Sequence, residues 1–183
     1  MTSGAETSFR SVNVSQGETR VSRDPEIVLT TLLGSCVAAC LYDPFARVGG
    51  INHYLLAHGK VENAASMQRY GVHAMEMLIN EMMAHGAMRS RMKARIFGGA
   101  TMNAHYSDIG GDNIAFARAF LKAEGIPLVG EDVGGSAARR VQFRAALGLA
   151  RCRKVEDVQL SRVAAQVPTP PAKPVSIGDV ELF

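Results

Sequence analysis

Two side chains in this sequence have the types and spacing for covalent chemistry, Cys36 and His53. Cys36 lies in TTLLGSCVAACLYDP (Thr30 to Pro44), where Gly34 and Ser35 interrupt an apolar, β-branched run just before the thiol. A cysteine thiol ionises near pH 8.5, so at neutral pH it needs a base within hydrogen-bond reach to act as a nucleophile. His53 is the next histidine along the chain, on the next strand-like run. If the two runs fold back about Asp43-Pro44-Phe45-Ala46, with the turn centred between Pro44 and Phe45, Cys36 and His53 become cross-strand partners. Their Cβ atoms would then be about 4.5–5.5 Å apart. A thiol beside an imidazole in that geometry suits acyl transfer, with backbone N–H groups near Ser35 and Cys36 as oxyanion donors. The ordinary alternative is a buried packing cysteine and a structurally satisfied histidine.

A histidine base needs a third group to fix its tautomer. The preceding strand offers no Asp or Asn, but it carries Thr30 and Thr31. Cys40 shares strand parity with Cys36, so Cys36, Cys40 and His53 also raise a metal site. Zinc sites usually add a second closely spaced ligand pair, and Cys152 is isolated, so no metal is expected and Cys40 reads as core. His58, His73, His85 and His105 lack a comparable partner. The glycine pairs read as turns. No Walker or dinucleotide spacing is present, and no cofactor is expected.

These residues need strands to position them. FRSVNVSQGETRVS gives two short alternating runs around Gly17, read as edge strands or a hairpin. EIVLTTLLG, CVAACLYD and RVGGINHYLLA read as three consecutive strands, largely antiparallel neighbours. A helix begins at Tyr70, with apolar residues at Ala74, Met77, Leu78 and Met82 and a stop at Gly86. KARIFGGA is a strand. DNIAFARAFLKAEG is a second helix, with Asp112 as a candidate N-cap and Gly125 as its stop. IPLVGEDVGG, ARRVQFRAALG and LARCRKVE complete the strands. The fold class is therefore α/β (α+β), with two main helices packed on a mixed sheet and enough strands for a second β layer.

The bulk properties fit one soluble domain. The chain has 183 residues, 47% of them hydrophobic, and a net charge of +3. No apolar run approaches the roughly 20 residues that span a bilayer, and the first residues lack the apolar stretch of a secretory signal. Three cysteines do not make a disulfide framework, and a cytoplasmic location is expected. The basic runs at Arg89–Arg95 and Arg151–Lys154 contain no aromatics, so no nucleic-acid partner is expected. We expect a frayed start at 1–8, one domain over 9–158 and a flexible proline-rich tail over 159–183.

TTLLGSCVAACLYDP, GGINHYLLA, IFGGATM and EDVGG with Arg139 together resemble the CheD family, the chemoreceptor glutamine deamidases of bacterial and archaeal chemotaxis. The resemblance runs from about Val12 to Arg153. It implies a three-layer α/β/β fold similar to the catalytic domain of cytotoxic necrotizing factor toxins. It implies a Cys–His–Thr site with Cys36 as nucleophile, His53 as base and Thr30, six residues before the cysteine, as the group orienting His53. The implied reaction is hydrolysis of glutamine side chains on methyl-accepting chemotaxis receptors, with related use on their methyl esters and a CheC-type phosphatase as a partner in some systems. The family's second helix usually carries Asn-Ile-Gly and then Arg-Asn; here Ala115 replaces the glycine and the arginine is displaced to Arg118. The alternative is a binding module that regulates a receptor or phosphatase without catalysis.

Overall fold

The glycine-serine break before Cys36 is where the chain leaves one β-sheet for another. A computed structural model describes residues 9–56, 64–101 and 108–155. Its elements in chain order are β1 (Arg10–Asn13), β2 (Thr19–Ser22), β3 (Ile27–Leu33), β4 (Val37–Asp43), β5 (Val48–Tyr54), α1 (Ala64–Ala84), β6 (Lys93–Gly98), α2 (Ile109–Ala123), β7 (Leu128–Val133), β8 (Ala138–Arg144) and β9 (Leu149–Val155). One sheet has the order β1-β3-β8-β9 and the other β2-β5-β4-β6-β7.

Both helices cover the outer face of the five-stranded sheet. Val37, Ala39, Leu41 and Tyr54 pack there against Met75, Leu78, Ile79, Met82 and Leu121. The opposite face carries Ala38, Cys40, Ile51 and Phe97, which pack against Leu29, Leu33, Val141 and Phe143 of the four-stranded sheet. Each fully buried Leu, Ile or Met contributes about 1.5–3 kcal/mol. The result is the expected α/β/β sandwich of three layers. β4 lies in the middle layer and is buried on both faces, which explains why its sequence is an unbroken apolar run rather than an alternation.

Several expectations are corrected by long-range pairing. β1 and β2 are edge strands, one of the two expected arrangements, but they do not form a hairpin: β1 runs parallel to β3, and β2 pairs antiparallel with β5 in the other sheet. β3 is not the neighbour of β4; it pairs with β8. On α1, Met77 points outward and is 48% exposed, while Met75 and Ile79 join Leu78 and Met82 in the core. The cap of α2 is Asp108, whose carboxylate accepts from the Gly111 amide at 3.0 Å. Asp112 lies inside the first turn, where the helix dipole favours it. The expected Gly125 stop is observed, in the left-handed region that glycine alone enters cheaply. The segments assigned to a frayed start (1–8) and a proline-rich tail (159–183) lie outside the described residues. No described helix is long and apolar enough to cross a membrane.

Gly98 ends β6 against the crossover. Its φ is +102°, and an added Cβ would stand 2.2 Å from the Cys36 carbonyl oxygen. Gly125 also has positive φ (+66°) but nothing within 4 Å of that position. Alanine in the left-handed region costs about 1–2 kcal/mol at either site, and only at Gly98 does a backbone overlap add to it. We therefore expect Gly98→Ala to melt roughly 5 °C or more below Gly125→Ala, the shift expected for about 2 kcal/mol in a domain of this size. Thermal unfolding of the two variants followed by circular dichroism measures it, and equal melting temperatures would contradict the overlap.

Candidate active site

Three consecutive carbonyls fix the Gly34-Ser35-Cys36 crossover. Gly34 O accepts from Ala100 N at 2.8 Å, Ser35 O from Asn113 Nδ2 at 2.9 Å and Cys36 O from Gly99 N at 2.7 Å. Peptide bonds are planar and trans, so each N–H points opposite to the carbonyl before it. With Gly34 O and Ser35 O held by β6 and α2, the Ser35 and Cys36 amides face away from those elements. Strand pairing begins only at Val37, so the ladder does not use these amides.

Asn113 is a residue the sequence reading missed. It is fully buried on the first turns of α2. Its Nδ2 holds the crossover, its Oδ1 accepts from Leu56 N at 2.8 Å just beyond β5, and its carbonyl accepts from the Tyr54 hydroxyl at 3.1 Å. One side chain thus ties the cysteine turn to the end of the histidine strand. A lone polar residue within an otherwise apolar helical stripe was the signal for it.

The hairpin register differs from expectation by two residues. Ala38, not Cys36, stands opposite His53, and Asp43 pairs with Val48. The turn is centred between Phe45 and Ala46, because the Asp43 carboxylate accepts from both of their amides (2.9 and 3.1 Å) and Arg47 takes a positive φ of 53°. A two-residue slip preserves the face. Cys36 is thus the diagonal neighbour of His53, with about 7 Å between Cβ atoms in a regular pleat, rather than its direct partner. Both lie on the intersheet side and are largely buried, at 9% and 6% exposure.

Across the intersheet layer, the imidazole meets Thr31. Thr31 Oγ1 lies 2.9 Å from His53 Nδ1 and donates to Val14 O at 2.7 Å. Thr30, the residue expected to orient His53, is on the other face of β3. Side chains alternate along a strand, and the inward face carries Leu29, Thr31 and Leu33. Counting back six residues from the cysteine therefore selects a threonine on the face away from His53, whereas parity with the apolar residues selects the one that meets it. The hydroxyl proton goes to Val14 O, so Thr31 Oγ1 accepts, and Val14 O, 3.4 Å from the ring, also only accepts. Nδ1 therefore carries the hydrogen and Nε2 carries the lone pair. Nε2 is buried and has no hydrogen-bond partner among the described residues.

The turn between β1 and β2 wraps this histidine. Gly17 N donates to His53 O at 2.7 Å, and His53 N donates to Glu18 O at 3.1 Å. From the same turn, Gln16 Oε1 accepts the Cys36 thiol at 3.5 Å. Gln16 was not singled out from the sequence; it is twenty positions from Cys36, and nothing local links them.

Burial sets the protonation state. It pushes the Cys36 thiol up to about 11, tempered by its own backbone amide. It pushes His53 below the ordinary value of 6.5, against the opposing effect of Val14 O. The resting pair is a neutral thiol and a neutral imidazole, rather than a thiolate with an imidazolium. Burial also raises Cys40, which is wholly inside the intersheet core. Burial, then the neighbouring Asp132, raises Cys152 to about 11. Among the described residues, no three His, Cys, Asp or Glu side chains converge as a metal would require. His73 and His85 are exposed, and His58 and His105 lie outside the described residues.

The family model for CheD chemotactic sensory transduction matches residues 55–154. A protein of Zymomonas mobilis named probable chemoreceptor glutamine deamidase CheD is 51% identical over 96% of this chain and 93% of its own length. The chain belongs to the CheD family. A second member, from Ruegeria sp. and named probable chemoreceptor glutamine deamidase CheD 1, is 47% identical over 94% of this chain and 95% of its own. Among solved structures, the Bacillus licheniformis hypothetical protein YfiH aligns with a TM-score of 0.46 at 16% identity, covering 64% of this chain and 51% of that one. The departure from the CheD pattern on the second helix has a local role, since Arg118 forms two hydrogen bonds to Glu131 of β7.

The tautomer and the sign of the His53 shift are both measurable. Nitrogen-15 NMR should show the Nδ1–H form, titrating below 6.5. Thr31→Val should weaken that preference and cost about 1–3 kcal/mol for the buried group it leaves unpaired, and Thr30→Val should do neither. A depressed folded-state value means the unfolded chain binds the proton first. Stability should therefore be complete above pH 6.5 and fall as the pH drops through the window below it. His53→Gln should flatten that fall. A histidine titrating above 6.5 would contradict the assignment.

Proposed function

We propose that this protein hydrolyses the side-chain amides of glutamines on chemoreceptors, with Cys36 as nucleophile, His53 as general base and acid, and Thr31 as the residue that orients His53. The observation that carries the reading is the Thr31–His53 hydrogen bond. It leaves a buried Nε2 lone pair, without a partner among the described residues, in the same layer as the thiol. The names borne by relatives about half identical over nearly their whole length supply the substrate class.

In the proposed cycle, Nε2 takes the Cys36 proton as sulfur attacks the carboxamide carbon. The developing oxyanion is met by the Ser35 and Cys36 amides. The tetrahedral species collapses as the imidazolium protonates the departing nitrogen, and ammonia leaves. A water then gives a proton to Nε2 and attacks the thioester. The C–S bond breaks, sulfur regains its proton from the imidazolium, and the side chain is released as glutamate. Each turnover adds one negative charge to the receptor. On a helical bundle this changes repulsion between like charges on neighbouring turns and helices, and so shifts a two-state signalling element. The family resemblance also brings a CheC-type phosphatase into view as a partner.

Ammonia release from a purified receptor cytoplasmic fragment tests the proposal. Cys36→Ala should lower the rate by about a thousandfold or more, and His53→Gln comparably, because the two act as a unit. Cys40→Ala should stay within a few fold. Peptide mass spectrometry should locate the amide-to-acid change at receptor glutamines with wild type only. Wild-type rates from Cys36→Ala, or receptor binding without ammonia from any protein, would overturn it and leave a binding regulator.

A further inference from the structure

We propose that Gln16 is a built-in occupant of the substrate's carboxamide position, so that the resting site is closed by a copy of the group on which it acts. This inference rests on the deamidase reading. Two observations that are unrelated in the sequence find one cause here. The Cys36 thiol donates to Gln16 Oε1 at 3.5 Å instead of to the base. His53 Nε2, the acceptor that the chemistry requires, is buried and has no hydrogen-bond partner among the described residues. A carboxamide oxygen at the thiol holds the proton away from the imidazole.

The position of Gln16 is fixed by its backbone. Glu18 N donates to Ser15 O at 3.0 Å, closing a tight turn in which Gly17 has a φ of +84°. The Glu18 carboxylate accepts from Ser15 N at 2.9 Å and from Arg20 at 3.1 Å, which braces the same turn. Gly17 N and Glu18 O are both bonded to the backbone of His53, and Val14 O lies beside its ring. Gln16 is thus carried on a segment anchored to the base itself. Its own side chain is exposed to solvent, while the thiol it covers is 9% exposed. It lies on the solvent side of the nucleophile, where an incoming side chain must arrive.

The hydrogen bond stabilises the protonated thiol, so removing it should release the nucleophile. The substrate's own carboxamide would do the same by displacement, drawing the thiol proton toward Nε2 as the carbonyl carbon comes to sulfur. Gln16 is in this sense a specificity element, because a group must resemble a primary carboxamide to replace it. No bond is made to Gln16 and no reagent is consumed.

Iodoacetamide tests this directly, being a small carboxamide that alkylates the thiol whether or not a receptor is present. Peptide mass spectrometry at fixed pH reads the rate at Cys36 against Cys152 in the same molecule. Gln16→Ala should raise the Cys36 rate about fivefold, the factor expected from releasing one ordinary hydrogen bond. Gln16→Glu should lower it below wild type, because a carboxylate holds the thiol proton more tightly and repels a thiolate. With the receptor fragment, Gln16→Ala should raise kcat/KM about fivefold through a lower KM. An unchanged alkylation rate in both variants, or a fall in kcat with Gln16→Ala, would overturn the proposal. So would conversion of Gln16 to glutamate in wild type but not in Cys36→Ser, since the side chain would then be a substrate and not a stopper. If wild type alkylates as described but releases no ammonia from the receptor, the deamidase reading fails separately.

Discussion

The hydrogen bond between Thr31 and His53 joins the two sheets at the point where the chain crosses between them. Thr31 comes from the four-stranded sheet, His53 from the five-stranded one, and Cys36 from the crossover. For the bond to form, β3 must present its odd-numbered face inward, and β5 must be in a register that turns His53 toward it. The intersheet core of Leu29, Leu33, Ile51, Phe97 and Phe143 holds both strands in those orientations. The helices act at one remove. Through Asn113, α2 fixes the crossover and the end of β5 together, so a shift of that helix would move thiol and imidazole at once.

Burial keeps the thiol and the imidazole of this arrangement neutral at rest. Desolvation disfavours both the thiolate and the imidazolium. A proton transfer between them creates two opposite charges side by side, which a low-dielectric setting tolerates only when they are adjacent. In the proposed reaction, charge separation is therefore coupled to the arrival of an electrophile that takes up the negative charge. Thr31 contributes no charge of its own. It fixes which nitrogen carries the lone pair, and its own proton is tied to Val14 O. The Gln16 contact fits the same economy, since a neutral thiol is what it binds.

The parts of the site that depend on local periodicity were legible in the sequence. The parity of Cys36 and Cys40, the turn near Pro44, and the pairing of the cysteine and histidine strands follow from a two-residue repeat and turn chemistry. The centre of that turn was displaced by Asp43, whose carboxylate accepts from Phe45 and Ala46 and so closes a four-residue loop in place of a two-residue one. The same parity rule would have selected Thr31, which alternates with Leu29 and Leu33. The assignment of β1 and β2 to different sheets, and the separation of β3 from β4, were not legible. Strands of four to seven residues choose partners through contacts distant in the chain, and an apolar run reads alike in either sheet. Asn113 reaches the Ser35 carbonyl from 78 positions after it and Gln16 reaches Cys36 from 20 before it; Asn113 stands out locally as a polar residue in an apolar stripe, but nothing local tells which partner either side chain meets.

The neutral resting pair is the central physical claim, and the pH dependence of kcat/KM for ammonia release tests it most directly. His53 is already the free base once the pH exceeds its depressed value, and Cys36 stays protonated until about 11. The account therefore predicts a single rise below pH 6.5 and a level profile from there through about pH 9. A thiolate–imidazolium pair would instead lose activity when the imidazolium gives up its proton, producing a bell with a descending limb between about pH 7 and 9. A level profile supports general-base activation by His53; the bell would contradict it.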